Sequence, residues 1–154
     1  MDDRLFKTAM GKFATGVTVV TTEVEGEVHG MTANAFMSVS LDPKLILISV
    51  ANHARMKKQI ETAGTFAVNL LSQEQKDLSM VFAGQVKEGR DVEFKRFEGQ
   101  PILDHSLASI VCQVHNTHVE GDHTLFIGEV INLEVQDGEP LNYFEGKYRQ
   151  FQEA

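Results

Sequence analysis

An antiparallel β-barrel with short peripheral helices is the fold that this 154-residue sequence predicts. Three observations point to it. Short β-branched and apolar runs recur along the chain. Several are joined by tight Gly-containing turns of hairpin type. The helical segments are too few to alternate with strands as a βαβ series would. At 42% hydrophobic and 23% charged residues the chain has the composition of a globular protein, and its length suits a single domain spanning 1–154. No internal repeat or linker breaks it.

Residues 2–14 read as the first helix. Leu5, Phe6, Ala9, Met10 and Phe13 share a face, Asp2 or Asp3 can cap the start, and Gly16 can end it. VTVVTT at 17–22 is a β-branched strand, and Glu25-Gly26-Glu27 is the tip of a hairpin whose return leads through His29. Asp42-Pro43 makes a turn into LILISV at 45–50, a nearly continuous apolar run that predicts a strand buried on both faces. Asn52 can cap a helix starting near His53 and closed by Gly64. TFAVNLL at 65–71 is a further buried strand. Ser72-Gln73-Glu74-Gln75 has capping-box spacing ahead of a helix with Leu78, Val81 and Phe82 on its apolar stripe, ending at Gly84. Residues 85–97 are polar without a period and read as a mobile loop. Two long strands follow at 107–119 and 123–135, joined by Glu120-Gly121-Asp122. The tail from Leu141 to Phe151 is aromatic and basic.

The formal charge of −8 argues against a general nucleic-acid or anionic-membrane binder. The N-terminus lacks the order of a secretory signal, and no apolar run approaches the roughly 20 residues that span a bilayer. The single cysteine, Cys112, excludes an internal disulfide and fits a reducing compartment, so a cytoplasmic location is expected. Cys112 alternates with Ile110 and Val114 on an inward face and reads as core. His115 and His118, three apart on a strand, point to opposite faces, so no metal site is expected. There is no G-x-G-x-x-G or G-x-x-x-x-G-K-[ST] loop, so a nucleotide would be held without either.

The segment from Gly30 to Val50 is the strongest functional signal. Thr32, Ala33, Asn34, Ala35, Ser38 and Ser40 combine hydrogen-bonding groups with little bulk, and the only charges are Asp42 and Lys44. Such a wall suits the close approach of a flat ligand, and equally a barrel strand whose small residues face packed neighbours. Arg55, Lys57 and Lys58 cluster at the start of a helix, where free amides and the helix dipole favour phosphate; a solvated amphipathic helix is the alternative. Lys147 and Arg149 form a second short basic group. His123, beside the 120–122 turn, is the histidine best placed to meet a substrate, or a plain turn residue. Phe36, Phe82 and Phe126 are stacking groups or core.

GMTANAFMSVSLDPKLILISV, the A-x-M-x-x-x-I helix after it, FAVNLL, GDHTLFIGEV and the N-terminal F-x-x-A-M-G-K-F-A-T-G-V-T-V-V-T-T together resemble the short-chain flavin reductases. These are the reductase components of two-component aromatic monooxygenases of the 4-hydroxyphenylacetate and phenol hydroxylase type. The resemblance runs from Phe6 to about Tyr148. It implies a mainly β, split antiparallel barrel (the FMN-binding split barrel) of Greek-key type. It also implies a homodimer that uses NADH, or NADPH, to reduce FAD or FMN, and a separate flavin-dependent oxygenase that receives reduced flavin by diffusion.

By the same resemblance Thr32, Ala33, Asn34, Ala35, Phe36, Ser38 and Val39 lie at the isoalloxazine. Ser49, Val50 and Ala51, with Arg55, Lys58 and Gln59 on the following helix, lie along the ribityl and phosphate groups. The Phe82-Ala83-Gly84-Gln85 corner is a further flavin contact by that resemblance, with Phe82, Gly84 and Gln85 as its site residues. His123 matches a histidine associated with the nicotinamide side, and Lys147, Tyr148 and Arg149 neighbour the pyridine nucleotide. Hydride transfer between two stacked rings needs no nucleophile and no metal, so the lack of an evident acid–base pair fits. The rival readings are a barrel that holds flavin tightly for electron transfer or sensing, and an oxidase of the pyridoxamine-phosphate type, whose extra basic phosphate pattern is not evident.

Overall fold

A computed structural model describes residues 1–84 and 91–154. Its elements are α1 (Asp3–Gly11), β1 (Thr15–Gly16), β2 (Thr18–Val24), β3 (Glu27–Ala33), β4 (Phe36–Ser40), β5 (Leu45–Ala51), α2 (Arg55–Ala63), β6 (Thr65–Leu70), a 3-10 turn (Gln73–Gln75), α3 (Lys76–Phe82), β7 (Lys95–Phe97), β8 (Gln100–Ile102), β9 (Ala108–Glu120), β10 (His123–Val135), β11 (Leu141–Phe144) and β12 (Lys147–Gln150).

Seven strands form one antiparallel sheet in the order β3-β2-β6-β9-β10-β5-β4. Its two edge strands, β3 and β4, are separated in sequence only by Asn34 and Ala35. Three Cα steps reach at most about 11 Å, so the sheet must curl until its edges meet at this point. The result is a barrel left open between β3 and β4. The crossing is held by Phe36 N–H donating to the Asn34 carbonyl (3.0 Å) and Ser49 N–H to the Ala35 carbonyl (3.2 Å). Two non-sequential pairings, β2 with β6 and β5 with β10, give the Greek-key connectivity.

The barrel interior is filled by Val20, Ile46, Ile48, Val50, Phe66, Val68 and Phe126, with Met56 and Ile60 inserted from α2. Val19, next to Val20 and equally inaccessible, faces the other way, into a second cluster with Val17, Leu71, Leu103 and Leu141. β2 is therefore covered on both sides, as its β-branched run requires. The same holds for β6, where Ala67 packs outward with Ile102 and Val111. Buried Asn69 donates to the Val19 carbonyl (2.9 Å) and accepts from Leu103 N–H (2.9 Å) and Ser109 Oγ (2.8 Å), so its polarity is satisfied and structural.

Several expectations are corrected. α1 stops at Gly11, and Lys12 rather than Gly16 closes it; none of its residues is buried. β5 alternates instead of burying both faces, with Ile46, Ile48 and Val50 inward and Leu45, Leu47, Ser49 and Ala51 half-covered, because only its inner face meets the core. Asn52 does not cap α2. Its side chain bridges to Gly121 and Thr124 instead, and Ala54 stands at the cap without a side-chain bond. The Ser72 capping box forms, but around the 3-10 turn that precedes α3. Within the stretch 85–97, Lys95–Phe97 is a strand paired with β8; positions 85–90 lie outside the described residues. The signal for that strand was available. Glu25-Gly26, Glu98-Gly99 and Glu145-Gly146 are all two-residue turns with both φ positive, the conformation that matches strand twist in hairpins.

Candidate functional site

The open seam of the barrel brings together small residues from one end of β3, the Asn34-Ala35 crossing and the outer face of β5. Directly opposed residues of an antiparallel pair share a face, and residues two apart along a strand do too. Ala51 and His123 are opposed across β5 and β10, and Ser49 lies two residues before Ala51. Ser49 in turn donates to Ala35. A track thus runs from Asn34 and Ala35 past Ser49 and Ala51 to His123. Beyond it starts α2.

Two cavities flank the crossing. A cavity of about 170 Å³ is lined by Val17, Thr32, Ala33, Asn34, Ser79, Ala83, Tyr143 and Tyr148. Its polar groups are ordered by one another. Thr32 Oγ1 donates to the Ser79 carbonyl at 2.6 Å, Ser79 Oγ and the Tyr148 hydroxyl share a hydrogen bond at 2.7 Å, and Thr18 Oγ1 donates to the Ala33 carbonyl at 2.7 Å. Tyr143 stands edge-on to Tyr148, and Lys76 Nζ lies 5.5 Å from the Tyr148 ring. The second cavity, about 760 Å³, is mostly apolar and is lined by residues 13–18, residues 34–37, Leu47, Leu70, Leu71, Leu107, Pro140 and Leu141. A charged depression between α1 and the Glu145-Gly146 turn shares no residue with either.

At the start of α2, the unfilled cap leaves first-turn amides without a side-chain partner. Lys57 pairs with Glu61 at 3.0 Å, whereas exposed Arg55 and Lys58 make no ion pair among the described residues. Gln59 is half-buried beside them. His123 Nδ1 lies 2.8 Å from Asp122 Oδ1, and this bond, with the charge of the ring, holds the Asp122 carboxyl below the usual range.

Thus Thr32, Ala33, Asn34 and Tyr148, more than 110 residues apart in sequence, line one pocket. Ala35 and Phe36 line the larger one, Phe36 from a position opposite Ile48 where it also packs on the core. Other expected residues are placed differently. Ser38 and Val39 are exposed on the β4 edge and line neither cavity. Val50 is 1% exposed, so its side chain belongs to the core and only its backbone borders the track. Phe82 packs on Gly30 and against Phe94 (ring centroids 6.1 Å apart) and lines neither cavity. Gly84 ends α3 with φ +73°. Gln85 lies outside the described residues. Lys147 is exposed, and Arg149 stacks on Phe144 at 5.3 Å and reaches Glu145 at 3.9 Å, away from the pocket.

Ala83, from the expected Phe82–Gln85 corner, lines the smaller cavity, and Val17, Ser79 and Tyr143 are pocket residues that sequence reasoning passed over. A single serine on an apolar helix carries no signal; the aromatic character of the tail did point towards Tyr143. Burial pushes the Cys112 thiol up to about 12, which leaves it inert. Among the described residues no cluster of three or more His, Cys, Asp or Glu side chains is placed to hold a metal, and His115 turns to Glu129 at 3.4 Å. No helix among them is long and apolar enough to cross a membrane.

A seven-stranded antiparallel barrel open along a seam lined with small and polar residues is the frame of the candidate site. The model of the flavin reductase like domain matches residues 10–152, and the chain belongs to that family. It is 45% identical over 144 residues to an NADH-dependent flavin reductase of a Rhodococcus species, covering 92% of this chain and 82% of that one. It is 41% identical over 145 residues to the reductase component of 4-hydroxyphenylacetate 3-monooxygenase of Thermus thermophilus, covering 94% and 93%. The solved structure of the flavin reductase PheA2 in its native state superposes with a TM-score of 0.98 at 57% identity, over 99% of this chain and 100% of that one. The split barrel is thereby the family fold.

Proposed function

We propose that residues 1–154 form one NAD(P)H-dependent flavin reductase domain, with NADH preferred. It acts on FAD or FMN in the cytoplasm and supplies reduced flavin by diffusion to a separate aromatic-hydroxylating monooxygenase. The observation that carries this reading is the seam, where small residues from β3, the crossing and β5 form a track that ends at the uncapped start of α2.

These residues fit a flavin. A flat ring needs a wall without bulk, which Ala33 and Ala35 provide, and polar edges, which Thr32 and Asn34 provide. A phosphate tail needs free amides and cations, which the start of α2, Arg55 and Lys58 supply. When bound, the nicotinamide supplies a hydride and the flavin accepts it. The protein orients the two and excludes water. Amides of β3, which has a neighbour on one side only, are available to oppose negative charge on a bound ring. Val17, Tyr143 and Tyr148 line the pocket opposite the small residues, and the bond from Asp122 orients the His123 ring on the nicotinamide side. A homodimer is part of the proposal, supported by the uncovered apolar face of α1.

The test is a visible spectrum of the purified protein, followed by NADH consumption with added FAD, FMN or neither. Flavin-dependent NADH oxidation is expected. A protein that stays yellow but does not oxidise NADH would favour the rival reading, a flavin carrier for electron transfer or sensing.

A further inference from the structure

A threonine hydroxyl has one proton to donate and two lone pairs to accept with. In the smaller cavity that proton is already committed. Thr32 Oγ1 donates it to the Ser79 carbonyl, 2.6 Å away, and Ser79 is completely buried. That carbonyl lies in the last turn of α3 and keeps its helical bond from Ala83 N–H at 3.1 Å, so the Thr32 hydroxyl occupies its second lone pair. The donor of this bond is unambiguous, since a carbonyl oxygen only accepts. The Ser79 hydroxyl is in turn engaged with Tyr148, so neither rotates freely. Gly30 makes the arrangement possible: a Cβ there would lie 2.6 Å from the Phe82 ring, and only glycine lets α3 close on β3 far enough for Ser79 to meet Thr32.

We propose that the Thr32 hydroxyl is a fixed hydrogen-bond acceptor, selecting an amide N–H on the edge of the bound ring and unable to serve a ring carbonyl. The proposal rests on the flavin reductase reading above. Two groups of that chemistry come with the reaction: the imide N–H of the flavin and the carboxamide NH₂ of the nicotinamide. Either would meet an oxygen whose lone pairs are its only remaining capacity.

The experiment compares dissociation constants, measured by fluorescence and calorimetry, for wild type, Thr32→Val and Thr32→Ser. The probes are FMN against its 3-methyl analogue, and NADH against the reduced 3-acetylpyridine analogue, which carries a methyl in place of the NH₂. Valine keeps the bulk and removes the acceptor; serine keeps the acceptor. Leaving a buried N–H without a partner weakens binding by about 10- to 100-fold. Thr32→Val is therefore expected to weaken the parent compound of one pair by that factor, to leave its analogue unchanged, and to be rescued by Thr32→Ser. The pair that responds identifies the group. If Thr32→Val weakens parent and analogue alike, or neither, while wild type reduces flavin with NADH, the proposal fails and the reductase reading stands. If wild type binds no flavin and oxidises no NADH, both fail together.

Discussion

Arg55 and Lys58 are cations that no carboxylate neutralises among the described residues, in a chain of formal charge −8. Placed at a helix start without a side-chain cap, they offer an anion both charge and free amides. Arg55→Ala is expected to raise the flavin dissociation constant about tenfold, the worth of one charge-assisted contact in a partly wet site, with turnover at saturating flavin preserved. An unchanged constant in a flavin titration would remove Arg55 from the site. His123 and Asp122 act as a pair. The Asp122 carboxyl is held low by its bond to His123, so its contribution is present above the ordinary aspartate value and is lost as pH falls through the lowered one. In His123→Gln the Asp122 carboxyl should titrate at higher pH than in wild type, as read by carbon NMR. His123→Ala should raise KM for NADH and leave flavin affinity largely intact; equal loss of both would contradict its assignment to the nicotinamide side. Local composition singled out Thr32 to Ala35, and these residues line the two cavities beside the crossing. For Val50 and Phe82 the sequence did not separate packing from ligand contact, because apolar side chains look alike whether they face a ligand or a core.

At the scale of elements, hairpins were the most readable parts. Two long runs around Gly121 and the Glu25-Gly26 tip each carried a turn signal beside alternating residues. The same Glu-Gly chemistry at 98–99 was masked by the charged residues around it. Helix boundaries were less legible, since Asn52 has cap chemistry yet its amide bonds to the neighbouring β9–β10 turn. Gly30 is the element-scale device that lets α3 pack closely on β3. Gly30→Ala is expected to displace the Phe82 ring and lift α3 from β3, lowering stability by about 1–3 kcal/mol. Because Ser79 moves with α3, the same variant should lose flavin affinity although residue 30 lines neither cavity. Thermal unfolding together with a flavin titration checks both; lost stability with unaltered affinity would separate α3 from the site.

At the scale of the whole molecule, the conspicuous feature is uncovered apolar surface. Leu5, Phe6, Met10 and Phe13 on and after α1 are 56–79% exposed, and Val119, Ile131 and Val135 on the long β9–β10 hairpin are exposed as well. An apolar stripe at helical spacing contributes stability only where something covers it. Sedimentation equilibrium is expected to give a dimer. Phe6→Asp combined with Phe13→Asp should shift it towards monomer; a wild type that sediments as a monomer at every concentration would refute the homodimer.

The sequence by itself determined the β class, the hairpins, the core role of Cys112, and a small-residue wall at 30–40 that resembles a flavin seam. Those are local properties, set by side-chain size, periodicity and turn chemistry. Only the tertiary structure decided that β3 and β4, two residues apart, form opposite edges of a curled sheet, and that Ser79 and Tyr148 arrive beside Thr32. Which strands pair across long separations depends on how the whole core packs. So the polarity of the Thr32 hydroxyl, fixed by a carbonyl 47 positions away, could emerge only from the folded chain.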